Sequence, residues 1–80
     1  MAKLPINILA EWDPEASVWV ATSEDIRGLA IEAPTLERLA ERLPGVLDDL
    51  IEGNHPKLAG IEDITFKVHA SLLGHLARPA

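Results

Sequence analysis

The spacing of the apolar residues changes once along the chain, close to Thr35. Before that position apolar and polar residues largely alternate, and after it apolar residues recur every three or four positions. A period of two is typical of a half-buried strand, and a period near 3.6 is typical of an amphipathic helix. An 80-residue chain that changes period in this way is predicted to form a single α+β domain over residues 1–80.

Three alternating segments precede the helix and one follows it. The predicted strands are residues 4–12, 18–22, 29–33 and 64–70. The loop at 13–17 begins with Asp-Pro, a pair that favours a type I turn, so the first two strands are predicted to form a hairpin. We expect Trp12 to lie opposite Val18, which gathers Val18 and Val20 on the inner face and sends Trp19 to the outer face.

The helical segment is predicted to begin after its N-cap, for which Thr35 is favoured and Pro34 is the alternative, and to end at Gly53-Asn54. Its apolar stripe comprises Leu36, Leu39, Ala40, Leu43, Val46, Leu47, Leu50 and Ile51. Pro44 lies in the middle of this stripe, where proline removes a hydrogen bond and costs about 3 kcal/mol. We therefore expect the helix to kink or split there. Residues 53–63 are predicted to form a loop.

The element order β-β-β-α-β limits the topology. After an up-down-up meander, a right-handed crossover through the helix makes the fourth strand parallel to the first. The prediction is a four-stranded mixed sheet in the order 3-2-1-4, with one helix on one face and the other face open. The predicted occupants of the open face are Asn7, Leu9, Glu11, Trp19, Ala21, Ala30, Glu32, Thr65, Lys67 and His69.

Apolar side chains on an exposed sheet face indicate a site that binds another protein. Tryptophan is enriched where proteins bind one another, so Trp19 with Leu9 and Glu11 is a candidate protein-binding site. The alternative is that Trp19 lies flat on the sheet and serves packing only.

The charge balance favours a basic protein partner. The chain carries 13 acidic and 7 basic residues, a formal net charge of −6, which argues against nucleic acid as the main ligand. Asp48, Asp49 and Glu52 cluster at the end of the helix, where carboxylates oppose the helix dipole. This cluster is either a solvated surface or a site for a basic partner. Without a signal peptide or a membrane span, a cytoplasmic protein is expected.

No residue pattern indicates catalysis, a cofactor or a metal. His55, His69 and His75 are 14 and 6 residues apart, which matches no ligand spacing, and the chain has no cysteine. The serines lack the G-x-S-x-G context of a nucleophile elbow. Catalytic, cofactor-binding and metal-binding residues are therefore all predicted to be absent.

The segment from residue 11 to residue 39 resembles the HicB-like antitoxin domain, in particular its short stand-alone branch of uncharacterised proteins. The resemblance rests on the hairpin, on W-V-A-x-S-x-D, on D-x-x-G-L and on T-L-E-x-L. In this chain these motifs are Trp19-Val20-Ala21, Ser23, Asp25, Gly28-Leu29, Thr35-Leu36-Glu37 and Leu39. Arg27 stands where the wider family often has proline.

The resemblance implies a partial ribonuclease-H-like fold and a toxin–antitoxin role. It implies a non-enzymatic protein-binding module that neutralises a small, basic, RNA-cleaving toxin. Full-length relatives add a C-terminal DNA-binding segment that residues 1–80 lack, so operator binding is not expected. The alternative is a structural homo-oligomer without a toxin partner. Self-association into a dimer or larger assembly is expected in either case, because the third and fourth strands are unprotected edges.

Overall fold

The chain folds into a four-stranded mixed sheet with one long helix on one of its faces. The computed structural model describes residues 4–79. The elements are β1 (Ile6–Asp13), β2 (Val18–Thr22), β3 (Ala30–Ala33), α1 (Leu36–Asn54), α2 (Pro56–Ala59) and β4 (Phe66–Ser71). The predicted α+β order is confirmed, except that a one-turn helix, α2, lies in the segment predicted to be a loop. No helix within residues 4–79 combines the length and apolarity needed to cross a membrane.

The sheet has the predicted strand order, β3-β2-β1-β4. β2 runs antiparallel to both β1 and β3, whereas β4 lies parallel to β1. The parallel pair follows from the crossover through α1, which returns the chain to the end of the sheet where β1 begins. β3 and β4 are therefore the two edge strands.

β2 pairs with β1 in a register one residue away from the predicted one. Trp12 lies opposite Trp19, so the prediction that Val18 lies opposite Trp12 is wrong. Because side chains alternate along a strand, this shift moves every β2 side chain to the other face. Val18 and Val20 face away from α1, and Trp19 and Ala21 lie on its side of the sheet.

The hairpin loop explains the shift, because it has four residues, 14–17, rather than five. The Asp13 carboxylate oxygen Oδ1 accepts hydrogen bonds from the amides of Glu15 (3.0 Å) and Ala16 (3.3 Å). Ser17 then adopts a left-handed conformation, with φ of 55°, and returns the chain to β2. Four- and five-residue loops both build on a type I turn, and they give opposite faces to the second strand.

The core lies between α1 and the sheet. Its buried apolar residues are Ile6, Ile8, Ala10, Ala21, Ile26, Leu29, Ala33, Leu39, Leu43, Leu47, Ile51 and Leu58. β1, β2 and β3 each contribute an alanine to this surface, namely Ala10, Ala21 and Ala33. Small side chains at the sheet centre leave room for the leucines of α1, whereas valines at those positions would overfill the space.

α1 begins as predicted and runs without interruption through Pro44. The Thr35 hydroxyl Oγ1 accepts a hydrogen bond from the Arg38 amide at 3.1 Å, which confirms Thr35 as the N-cap. The expected split at Pro44 is wrong. Pro44 is exposed, and Leu43 and Leu47 on either side of it are buried, so the apolar contacts continue across the proline.

The corner before β3 is tied to the end of α1. Ile26 is fully buried, and Gly28 adopts a φ of 88° that side-chain-bearing residues rarely tolerate. The Arg27 amide donates to Nε2 of His55 at 2.9 Å, and Nδ2 of Asn54 donates to the Arg27 carbonyl at 3.4 Å. His55 therefore has a structural role as a hydrogen-bond acceptor between two segments.

Candidate protein-binding face

The sheet surface opposite α1, here called the open face, is the candidate functional site. The strand registers place on it Asn7, Leu9, Glu11, Asp13, Val18, Val20, Thr22, Ala30, Glu32, Lys67, His69 and Ser71. Within residues 4–79, neither α1 nor α2 lies over this surface, because both helices contact the opposite side.

Three apolar side chains of the open face, Leu9, Val18 and Val20, form a stripe that has acidic residues at its margins. This stripe is distinct from the apolar stripe of α1. Leu9 is 40% exposed, and Val18 and Val20 are half-buried. Val20 lies opposite Glu11 of β1 and opposite Glu32 of β3, so a carboxylate stands on each side of it. This arrangement suits a ligand that has an apolar centre and basic flanks.

A cleft of about 460 Å³ lies at one end of this stripe. It is lined by Asn7, Ile8, Leu9, Thr22, Ser23, Glu24, Asp25 and His69. The cleft forms because the chain leaves β2 after Thr22 and folds back across the start of β1. It extends the open face beyond the last paired residues of the hairpin, Leu9 and Thr22.

Ser23 and Asp25 hold this turn against β1. The Asp25 oxygen Oδ2 accepts from the Asn7 amide at 2.8 Å, and the Ser23 hydroxyl donates to the Asn7 carbonyl at 2.6 Å. The same hydroxyl oxygen accepts from the Asp25 amide at 3.0 Å. Both backbone groups of Asn7 are thus satisfied by side chains, which continue the ladder where strand pairing has stopped.

The cleft brings together a serine, an aspartate and a histidine, but their hydrogen bonds serve Asn7. Nε2 of His69 lies 2.9 Å from Oδ1 of Asn7, and the Ser23 proton is directed at a backbone carbonyl. A nucleophile needs a hydrogen bond to its general base, and the hydrogen bonds of residues 4–79 do not link Ser23 to His69. In the same part of the chain, no group of three or more histidine or acidic side chains could hold a metal ion.

The structure distributes the predicted site residues over three places. Leu9 and Glu11 lie on the open face, as expected. Trp19 does not, because the shifted register turns its half-buried ring towards Trp12 on the α1 side of the sheet. The acidic cluster is exposed at the end of α1, so the core and the sheet separate it from the open face; its members are Asp48, Asp49 and Glu52.

Val18 and Val20 are the members of the open face that sequence reasoning assigned to the core. Their β-branched side chains give no indication of which face they occupy, because valine suits either side of a sheet. The loop sequence DPEAS is compatible with both hairpin lengths, so no local signal distinguishes the two registers.

Residues 5–76 match a protein family described as a domain of unknown function, DUF1902. The matched range includes all four strands and both helices. The fold is similar to the crystal structure of a hypothetical protein from the extremely thermophilic bacterium Thermus thermophilus. The two are 34% identical with a TM-score of 0.66 over 92% of this chain and 99% of that chain. Among curated proteins no match was found.

Proposed function

The chain belongs to the DUF1902 family, and from the geometry of its open face we propose that it is a non-enzymatic module that binds a basic protein. The observation that carries the proposal is the uncovered apolar stripe between carboxylates. Val20 stands between Glu11 and Glu32, and Leu9 is exposed beside it. Apolar side chains would supply the buried centre of an interface, and the carboxylates would select and orient basic residues at its margin.

The partner class we propose is a small, basic, RNA-cleaving toxin, which this chain would neutralise as an antitoxin. Two features support it. The net charge of −6 provides long-range attraction for a basic protein, and the W-V-A-x-S-x-D and T-L-E-x-L motifs resemble those of HicB-like antitoxins. The structure gives the first motif a scaffolding role, because Ser23 and Asp25 shape the cleft at the end of the stripe.

A structural homo-oligomer without a toxin partner is the second candidate function. It is favoured by the two edge strands, and above all by β4, whose outer side pairs with no other strand within residues 4–79. On β3 the Glu32 carbonyl already accepts a hydrogen bond from Nη1 of Arg42 at 2.6 Å. The two functions use different surfaces of the molecule and can be separated by experiment.

The test begins with the product of any short basic reading frame next to the gene. Expressed alone, this product is expected to arrest growth, and co-expression of the present chain is expected to relieve the arrest. The double variant Glu11→Lys/Glu32→Lys reverses the charge at the margins of the stripe and is expected to weaken binding at least about 100-fold.

A control double variant, Glu37→Lys/Glu41→Lys, makes the same change in net charge on the exposed surface of α1. It is expected to alter affinity by less than about tenfold. If the two double variants lose affinity for the partner equally, the partner is attracted by the net charge of the chain and is not recognised by the open face. A neighbouring basic product that neither arrests growth nor binds this chain would remove the antitoxin proposal.

A further inference from the structure

The last eight described residues, 72–79, are here called the arm; they follow β4 without helix or strand, and all of them are exposed. Leu72, the first of them, lies beside the groove of Trp12 and Trp19. Leu72, Leu73 and Leu76 in this arm are 63%, 97% and 78% exposed. Eight extended residues span at most about 28 Å, which is a large part of the molecule's longest dimension of 58 Å. The radius of gyration is 15.0 Å, whereas a compact chain of this length has one of about 12 Å.

The strand from which the arm emerges has an incompletely covered apolar row. Phe66 and Val68 of β4, and Ile64 just before it, pack on the same side of the sheet as α1 but are only half-buried, because α1 packs across β2 and β3. Leu72 lies an even number of positions after Val68 and therefore extends this row on the same side of the sheet. Ile61, which precedes the row, is 40% exposed. In the part of the chain that the structure describes, the outer backbone edge of β4 has no neighbouring strand.

Acidic and basic residues are unevenly distributed along the chain, with a boundary just before β4. All 13 acidic residues lie within positions 1–63, whereas positions 64–80 carry Lys67 and Arg78 and no acidic side chain. The apolar arm therefore carries one cation, Arg78, and no carboxylate, whereas the body is acidic. Glu62, which is exposed, stands immediately before the apolar row of β4. A second copy of this chain offers the arm both an apolar strip and carboxylates.

We infer that two copies pair through antiparallel β4 strands related by a two-fold axis at Ala70, and that each arm lies along the other copy. This register places Leu72 opposite Val68 and Leu76 opposite Ile64 of the second copy, with all four side chains on the α1 side. It also places Arg78 opposite Glu62. The two sheets become one eight-stranded sheet, and the two open faces lie side by side.

Light scattering at increasing concentrations tests the dimer. The unmodified chain is expected to be dimeric, and Leu76→Glu is expected to raise the dimer dissociation constant at least about 30-fold. Leu9→Glu is the matched control, since it replaces an exposed leucine of the open face and leaves the arm unchanged. A monomer at every concentration, or a dimer disrupted by Leu9→Glu but not by Leu76→Glu, would overturn the inference.

A charge exchange tests the placement of the arm. Arg78→Glu is expected to weaken the dimer several-fold, and adding Glu62→Arg is expected to restore it. Failure of the second change to rescue the first would overturn this contact. Since both residues are exposed, circular dichroism should show unchanged folding in each variant.

Cysteine cross-linking tests the register, with no background because the chain has no cysteine. Residues opposite each other in antiparallel strands have Cα atoms about 4.5–5.5 Å apart, within the range of a disulfide. Ala70→Cys is therefore expected to form a covalent dimer on mild oxidation, and Leu9→Cys is expected not to. Cross-linking through Val68→Cys in place of Ala70→Cys would overturn the register.

The dimer and the proposed basic partner use different surfaces, so each can fail without the other. Leu9→Glu is expected to lose the basic partner and keep the dimer, and Leu76→Glu is expected to do the reverse. If either variant still folds but loses both the dimer and the basic partner, the two surfaces are not separate.

Discussion

The indole rings of Trp12 and Trp19 lie against each other across β1 and β2, with centroids 5.4 Å apart and planes inclined by 60°. Tilted aromatic pairs contribute about 0.5–1.5 kcal/mol beyond the area that they bury. The pair lines a groove with Pro34 and Leu36, at the point where the chain enters α1. The contact exists only in the observed register, because a shift by one residue would put the two rings on opposite faces.

The first prediction compares the two faces of β2. Trp19→Ala is expected to lower the free energy of unfolding by about 2–4 kcal/mol, because it removes a large ring packed against the core. Val20→Ala, on the open face, is expected to lower it by less than about 1 kcal/mol. Urea unfolding followed by circular dichroism measures both. A larger loss for Val20→Ala would mean that the two faces are reversed.

The strand order was predictable from the sequence because few connections satisfy its constraints. Once β1 and β2 form a hairpin, the long amphipathic segment between β3 and β4 requires a crossover. The face of α1 was predictable as well, since Leu39, Leu43 and Leu47 recur at helical spacing and are all buried. In both cases the prediction rests on a pattern of apolar residues that repeats over a long segment.

The register of β2 was not predictable, because it depends on one loop residue and on packing across the core. Val18 and Val20 are more apolar than Ala21, yet Ala21 is fully buried, since its small size lets α1 approach the sheet. Tertiary fit therefore overrides apolarity here. The continuity of α1 through Pro44 has a similar cause, because contacts on both sides of the proline hold the helix together.

The second prediction concerns two glycines with opposite roles. Gly28→Ala is expected to destabilise the fold by about 1–2 kcal/mol, because φ at this position is 88°. Crowding is not the cause, since an added Cβ would lie 3.5 Å from the nearest side-chain atom, in Leu50. Gly45→Ala, inside α1 with open space around it, is expected to stabilise the fold by about 0.5–1 kcal/mol.

Thermal unfolding of both glycine variants provides the measurement. Effects of the same sign in the two variants would contradict the assignment of Gly28 to a backbone requirement and of Gly45 to an ordinary helical position. The Gly45→Ala result also tests whether α1 is helical next to Pro44, since alanine at this position raises the stability only if that turn is helical.

The third prediction concerns the support of the cleft. Asp25→Ala is expected to cost about 1–2 kcal/mol, because the Asn7 amide loses its acceptor. Asp25→Asn keeps a side-chain oxygen and is expected to retain most of the stability. Hydrogen exchange at the Asn7 amide should accelerate in Asp25→Ala and remain slow in Asp25→Asn. Equal acceleration in the two variants would show that charge, rather than the hydrogen bond, holds the turn.

The last prediction concerns the acidic end of α1, whose last turn contains no basic residue. Asp48 and Glu52 are four positions apart, so their carboxylates repel each other, and Glu52 also opposes the helix dipole. Replacing Asp48, Asp49 and Glu52 by Asn, Asn and Gln is expected to stabilise the fold by about 0.5–1.5 kcal/mol. Glu37→Gln, in the first turn, is expected to destabilise it by about 0.3–1 kcal/mol. Both changes should shrink in 1 M salt, where the screening length falls to about 3 Å. If the cluster also steers a basic partner, the triple variant should associate more slowly but dissociate at an unchanged rate, and stopped-flow measurements of both rates would show whether it does.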